Sequence, residues 1–192
     1  MASLPISQMS FEQYLEMESH LDTKYEYYHG QVFAKGGASP AHVFIHANLV
    51  RKLGNQLDGT GCRALGPDLR VHVLTSGLYT YPDISIFCGP LALEGNHAAT
   101  NPKTIIDILS PSSRRYDRVG KFEHYRQIPT LDEYILVEQQ SYSVDSWRRM
   151  PGGEWQLSSC QGEDAMLEIP SVGIQIPLAE IYADVPFAAG LE

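Results

Sequence analysis

Two aspartates lie where the sequence is otherwise strongly apolar, and they constrain this chain more than any other feature. Asp83 interrupts YTYPDISIFC at residues 79–88, and Asp107 interrupts TIIDIL at residues 104–109. An ionised carboxylate inside an apolar strand is costly unless it is paired, hydrogen-bonded or bound to a metal. A charged helix follows the second strand and brings Lys121. Alternation in the first strand places Asp83, Ser85 and Phe87 on one face and Ile84 and Ile86 on the other. A turn cap would explain Asp83 alone, and a structural ion pair with an arginine would explain Asp107 alone. Taken together, with an ammonium group following, they point to a hard-cation site. Magnesium or manganese takes one or two carboxylates, a backbone carbonyl and several waters. The carbonyl of Ile108 is the candidate further ligand.

The rest of the chain frames these strands. Ser10 and Gln13 form a capping-box pattern that predicts a short amphipathic helix. The aromatics of KYEYYHGQVFAKGG predict a hairpin about His29-Gly30, with Glu26 in its first arm. Ser39-Pro40 opens a long helix with an apolar stripe at Val43, Leu49, Val50, Leu53 and Leu57, stopped by Gly59 and Gly61. Two short strands flank Gly66-Pro67. Residues 79–88 then read as one strand, with Pro82 near its start or on an edge, and residues 91–103 read as a surface connection. The strand at 104–109 is apolar on both faces, which implies burial between layers. Residues 116–127 read as a helix packing through Val119, Phe122 and Tyr125. A buried strand at 132–137 and a meander of strands at 141–148, 154–159 and 166–169 follow, and the last residues are expected to fray. The pattern predicts a single α/β (α+β) domain over residues 1–192, with a central mixed sheet flanked by helices and a C-terminal antiparallel meander.

The 192 residues suffice for a sizeable core. No apolar run reaches the roughly 18 residues a membrane helix needs. The start, MASLPISQMSFEQ, lacks the basic and apolar segments of a signal peptide, so a cytoplasmic location and no membrane partner are expected. A net charge of −9 argues against nonspecific nucleic-acid binding by the whole surface. It leaves room for a local basic groove near Arg114, Arg115, Arg118, Lys121 and Arg126. Cys62, Cys88 and Cys160 form no CxxC pair, so they are read as small buried residues rather than a disulfide framework or zinc site. His42 and His46, one helical turn apart, have a spacing that can bind zinc, but no glutamate follows the first histidine as in a metalloprotease.

At this point the order of motifs resembles a known pattern. Pro82-Asp83, an acidic residue in a later strand and then a lysine are similar to the PD-(D/E)XK nuclease superfamily. The stretches KYEYYHGQVF, AHVFIHANL, YPDISIF, IDILSPSSRRYDRVGKFEHYRQIP and LDEYILV resemble one branch of it, the Uma family of restriction-endonuclease-like bacterial proteins. The resemblance runs from about Tyr25 to Trp147. It implies a restriction-endonuclease-like fold and a Mg2+- (or Mn2+-) dependent endonuclease acting on DNA. Asp83 and Asp107 would hold the metal with Ile108, Lys121 would assist the attacking water, and Glu26 would be a supporting ligand. His42, Arg114 and Arg118 would contact substrate phosphates, with a solvated charged face as the alternative for the arginines. A homodimer would supply two centres for two DNA strands. Two departures stand out. Asp107 occupies a position where glutamate is more common in this branch. Leu109 lies two beyond it, so the acidic-x-lysine spacing is absent, and Lys121 supplies the lysine from the following helix. These departures favour an alternative, a binding or interaction module that keeps the fold without the activity.

Overall fold

A computed structural model of the chain describes residues 8–187. The first seven residues and the expected fraying tail at 188–192 lie outside that range. The capping box forms as the sequence predicts. Ser10 Oγ accepts from the Gln13 N–H, and Gln13 Oε1 accepts from the Ser10 N–H, at the start of α1 (Phe11–Ser19). The hairpin β1 (Tyr25–Tyr28) and β2 (Gln31–Ala34) turns at His29 and Gly30, both at positive φ, +46° and +82°. Two positive φ values in a two-residue loop match the right-handed twist of the flanking strands.

The long helix α2 (Pro40–Leu57) starts at an N-cap Ser39 whose hydroxyl accepts from the His42 N–H. Its buried stripe is Ile45, Leu49, Leu53 and Leu57. Val43, expected in that stripe, is exposed, because the four-residue ridge through Ile45 is the one turned to the core.

Two six-stranded sheets and a small two-stranded one follow. The first runs in the order β2-β1-β5-β4-β8-β7, using β4 (Val71–Val73), β5 (Leu78–Thr80), β7 (Leu93–Glu94) and β8 (Ala98–Ala99). The second runs β12-β11-β10-β9-β6-β3, using β3 (Cys62–Leu65), β6 (Ile84–Cys88), β9 (Thr104–Leu109), β10 (Glu133–Glu138), β11 (Ser143–Arg149) and β12 (Trp155–Gln161). It is mixed, with β9 and β10 parallel and its other pairs antiparallel. The antiparallel pair β13 (Met166–Ile169) and β14 (Ile174–Pro177) ends the meander ahead of α4 (Leu178–Ile181).

The stretch 79–88 is therefore not one strand. It breaks at Tyr81-Pro82-Asp83, and its two parts serve different sheets. Pro82 has no N–H to offer a ladder, so the chain leaves one sheet there and enters the other. The segment at 91–103 also gains order, pairing β8 with β4 and burying Ala98 and Ala99.

The second sheet is covered on both faces. Ile84, Ile86, Ile106, Ile108, Ile135 and Val137 pack towards α2, β13, β14 and α4. Phe87, Ile105, Leu109, Tyr134 and Leu136 pack with the first sheet and the helix after β9. That helix opens as a π-helical stretch, Tyr116–Lys121, and continues as α3 (Phe122–Tyr125). Phe122 and Tyr125 are buried as predicted, whereas Val119 is exposed. In the wider turn the inward groups are Asp117 and Lys121. Gly120 is needed here, because a Cβ on it would lie 2.5 Å from the Tyr116 ring.

Cys62 and Cys88 are joined by a disulfide, which corrects their reading as unpaired residues. They are direct partners across β3 and β6, with Cα atoms 4.0 Å apart. That register is a tertiary fact with no CxxC signature. Cys160 is free. Among the described residues no helix is long and apolar enough to cross a membrane.

Candidate functional site

Period-2 geometry gathers the site. Asp107 shares a strand face with Ile105 and Leu109, directed at the first sheet and the π-helical stretch. Continuing the β6–β9 register from Ile84↔Ile106 puts Asp83 beside Asp107. The Asp83 N–H donates to Asp107 Oδ1 at 3.2 Å. Lys121 Nζ lies 3.4 Å from Asp107 Oδ2, 3.3 Å from Glu26 Oε1 and 3.2 Å from Asp117 Oδ1. Asp83, Asp107, Lys121 and Glu26 thus meet at one junction between the two sheets, and all four are buried. Glu26 is no exposed hairpin residue; Thr80 Oγ1 donates to it at 2.6 Å.

Each carboxylate oxygen of the aspartate pair already has a donor. Asp83 Oδ1 accepts from Lys35 Nζ at 2.9 Å. Asp83 Oδ2 accepts from the Ile108 N–H at 2.7 Å and lies 3.1 Å from His42 Nε2. Asp107 Oδ1 takes the Asp83 amide. Asp107 Oδ2 lies 2.9 Å from the Tyr134 hydroxyl, besides Lys121. Ile108 therefore reaches Asp83 through its N–H, as a donor. His46 Nε2 donates to the Asp83 carbonyl at 3.1 Å, which with His42 ties both imidazoles to Asp83.

The two aspartates differ in acidity. Burial alone would raise Asp83, but the His42 hydrogen bond, the Lys35 charge and the Ile108 amide outweigh it and hold the carboxyl well below the usual range. Burial raises Asp107 to about 6; Asp117 and Asp83 add to the rise against the opposing charge of Lys121. Burial works against the Lys121 ammonium, yet Asp107, Glu26 and Asp117 together lift it well above the ordinary lysine value. Burial also keeps the Tyr125 and Tyr134 phenols protonated.

The other sequence-predicted contacts sit apart from this junction's ion pairs. Arg114 pairs with Glu138, and Arg118 with Glu138 and Asp145. Both guanidinium groups are thus already charge-matched, and a phosphate would have to compete with those carboxylates. Sequence reasoning missed Lys35, Asp117 and Tyr134 as members of the cluster. A tyrosine in a strand expected to be buried was a readable signal, since a buried hydroxyl seeks a partner. A polar residue at a helix start gives no sign that Asp117 is buried against Lys121, and Lys35 leaves no pattern.

Comparison with known proteins fits this architecture. The Uma2 family, described as "Putative restriction endonuclease", matches residues 11–179. The chain belongs to that family. Among relatives of this Uma2 chain, the uncharacterized protein slr1290 of Synechocystis is 35% identical over 185 residues, covering 96% of this chain and 97% of its own length. A second Synechocystis protein, sll1609, is 32% identical over 158 residues, covering 81% of this chain and 89% of its own. A solved structure from Anabaena variabilis, titled a putative nuclease belonging to DUF820, superposes with a TM-score of 0.72 at 19% identity. It covers 91% of this chain and 98% of its own. At that identity the likeness shows the nuclease-like fold of the Uma2 chain.

The donor set of this Uma2 chain is all oxygen at the aspartates, the kind a hard cation takes. Its arrangement does not fit such an ion, because the chain's own donors hold every oxygen of Asp83 and Asp107. Among the described residues no three His, Cys, Asp or Glu side chains are arranged to hold a metal.

Proposed function

We propose that this Uma2 chain is a binding or interaction module built on the nuclease fold, with its carboxylate cluster closed by its own cations. The observation that supports this is that every carboxylate oxygen of Asp83 and Asp107 is already engaged, by Lys35, Lys121, His42, Tyr134 and two backbone amides. The acidic net charge and the carboxylate-paired Arg114 and Arg118 point the same way, because a polyanion gains least from such a surface. A cytoplasmic setting is kept within this proposal.

A second reading is a Mg2+- or Mn2+-dependent endonuclease on DNA, acting as a homodimer. It is favoured by one observation, the meeting of Asp83, Asp107, Glu26 and Lys121 in one buried junction. Calorimetric titration with Mg2+ and Mn2+, run beside a supercoiled-plasmid assay and a DNA mobility shift, separates the two. The module reading expects only weak cation binding at the aspartates and intact plasmid. Metal-dependent nicking that disappears in Asp83→Asn would establish the endonuclease instead.

A further inference from the structure

The mismatch between an oxygen-rich donor set and a closed arrangement has a local origin at Asp83. Its partners differ in how firmly they are held. The Ile108 amide belongs to β9, and His42 sits on α2 just after the Ser39 cap. Lys35 follows the last residue of β2 and precedes Gly36-Gly37, around which no atom lies within 4 Å of an added Cβ. Its side chain keeps 26% of its surface exposed, against 7% for Lys121. Lys35 is thus the more exposed of the two cationic partners of Asp83, ahead of His42 at 17%.

The Lys35 ammonium is held by two oxygens, Asp83 Oδ1 at 2.9 Å and the Tyr81 backbone carbonyl at 2.6 Å. A carboxylate oxygen beside a main-chain carbonyl is the pairing that hard divalent cations use. We infer that Lys35 Nζ marks a cation position formed by Asp83 Oδ1 and the Tyr81 carbonyl, and that Lys35 acts as a built-in competitor keeping external cations out. This deepens the closed-module reading by naming the side chain that does the closing. Lys121 does not share this role, because three carboxylates hold it inside the molecule. The excluded ligand is a hard divalent ion, since the position offers oxygen donors and no thiolate.

The test is calorimetric titration of the full chain with Mn2+, comparing wild type with Lys35→Met, Lys35→Gln and Lys35→Arg. Both neutral variants should bind Mn2+ up to roughly fivefold more tightly than wild type, the scale expected for removing one partly solvated competing charge. Lys35→Arg should stay as weak as wild type, and adding Asp83→Asn to Lys35→Met should abolish the gain. Lys35→Gln carries the comparison if the methionine variant does not fold, because its amide still donates to Asp83. Equal affinity in wild type and the neutral variants overturns the inference, as does a gain that survives Asp83→Asn. Tight binding by wild type with plasmid nicking would remove the closed-module reading. The Lys35 claim would still be decided by the ratio between wild type and the neutral variants.

Discussion

Asp83 and Asp107 are neighbours across two strands, equally buried, yet their surroundings push them in opposite directions. The Asp83 carboxylate meets a lysine, a histidine and a backbone amide, and neither Lys35 nor His42 is shared with another carboxylate in the ion pairs of the described residues. Asp107 meets one lysine that it shares with Glu26 and Asp117. Burial penalises both charges alike. The ratio of donors to competing carboxylates decides which side chain stays ionised at ease and which stays near its titration point. Within one junction, then, one half is over-compensated and the other under-compensated, and Lys121 is the cation on which the under-compensated half relies.

The comparison breaks most severely if that lysine is removed. Lys121→Ala leaves Glu26, Asp107 and Asp117 buried without a cation. The expected loss is about 3–5 kcal/mol, the range for breaking a buried ion pair from one side. Urea denaturation at neutral pH measures it. A loss below that of a surface lysine would show that water already reaches the cluster. Asp83→Asn should cost less, about 1–3 kcal/mol, because the orphaned Lys35 is partly exposed and can be solvated while an amide oxygen still accepts from Ile108 or His42. The same denaturation series checks the order. If Asp83→Asn proves the costlier of the two, Asp83 is the true centre of the network.

The two halves were also unequally legible in the sequence. Asp83 and Asp107 stood out because a charge inside an apolar run is anomalous, and the period of a strand then assigns each to a face. Lys121 stood out only through its place after the second strand. Lys35 did not stand out at all, since a lysine before two glycines is ordinary on any surface; only the fold brings β2 beside the start of β6. The break at Pro82 was visible as a missing donor, but which sheet each half would join depends on partners far along the chain. Helix phase failed for the same kind of reason. Val43 and Ile45 are both apolar, and packing against β14 and α4 chooses between them. Asp117 was legible as a polar residue at a helix start, but not as a buried partner of Lys121, because that depends on the widened π-helical turn over Gly120.

The finest test of the asymmetry is Asp107→Asn read against pH. Asp107 holds its proton more tightly folded, at about 6, than an unfolded aspartate at about 3.9. Its contribution to stability is therefore complete below the unfolded value and is lost as pH rises through about 6. Asp83, depressed in the fold, contributes above the ordinary carboxylate range and loses that contribution as pH falls through it. Between pH about 4 and 6 the wild type should thus carry a downward slope owed to Asp107, against whatever other carboxylates add. Asp107→Asn should remove that component, while Asp83→Asn should only reduce it, since burial and Asp117 still raise Asp107. At neutral pH the Asp107→Asn protein should lie within about 1 kcal/mol of wild type, because the amide removes a charge that the cluster only partly compensates. Denaturation midpoints across that pH range give the slopes. Should Asp107→Asn keep the wild-type slope, or cost as much as Asp83→Asn at neutral pH, the carboxylates would be equally well compensated. Competition from neighbouring carboxylates would then not be what separates them.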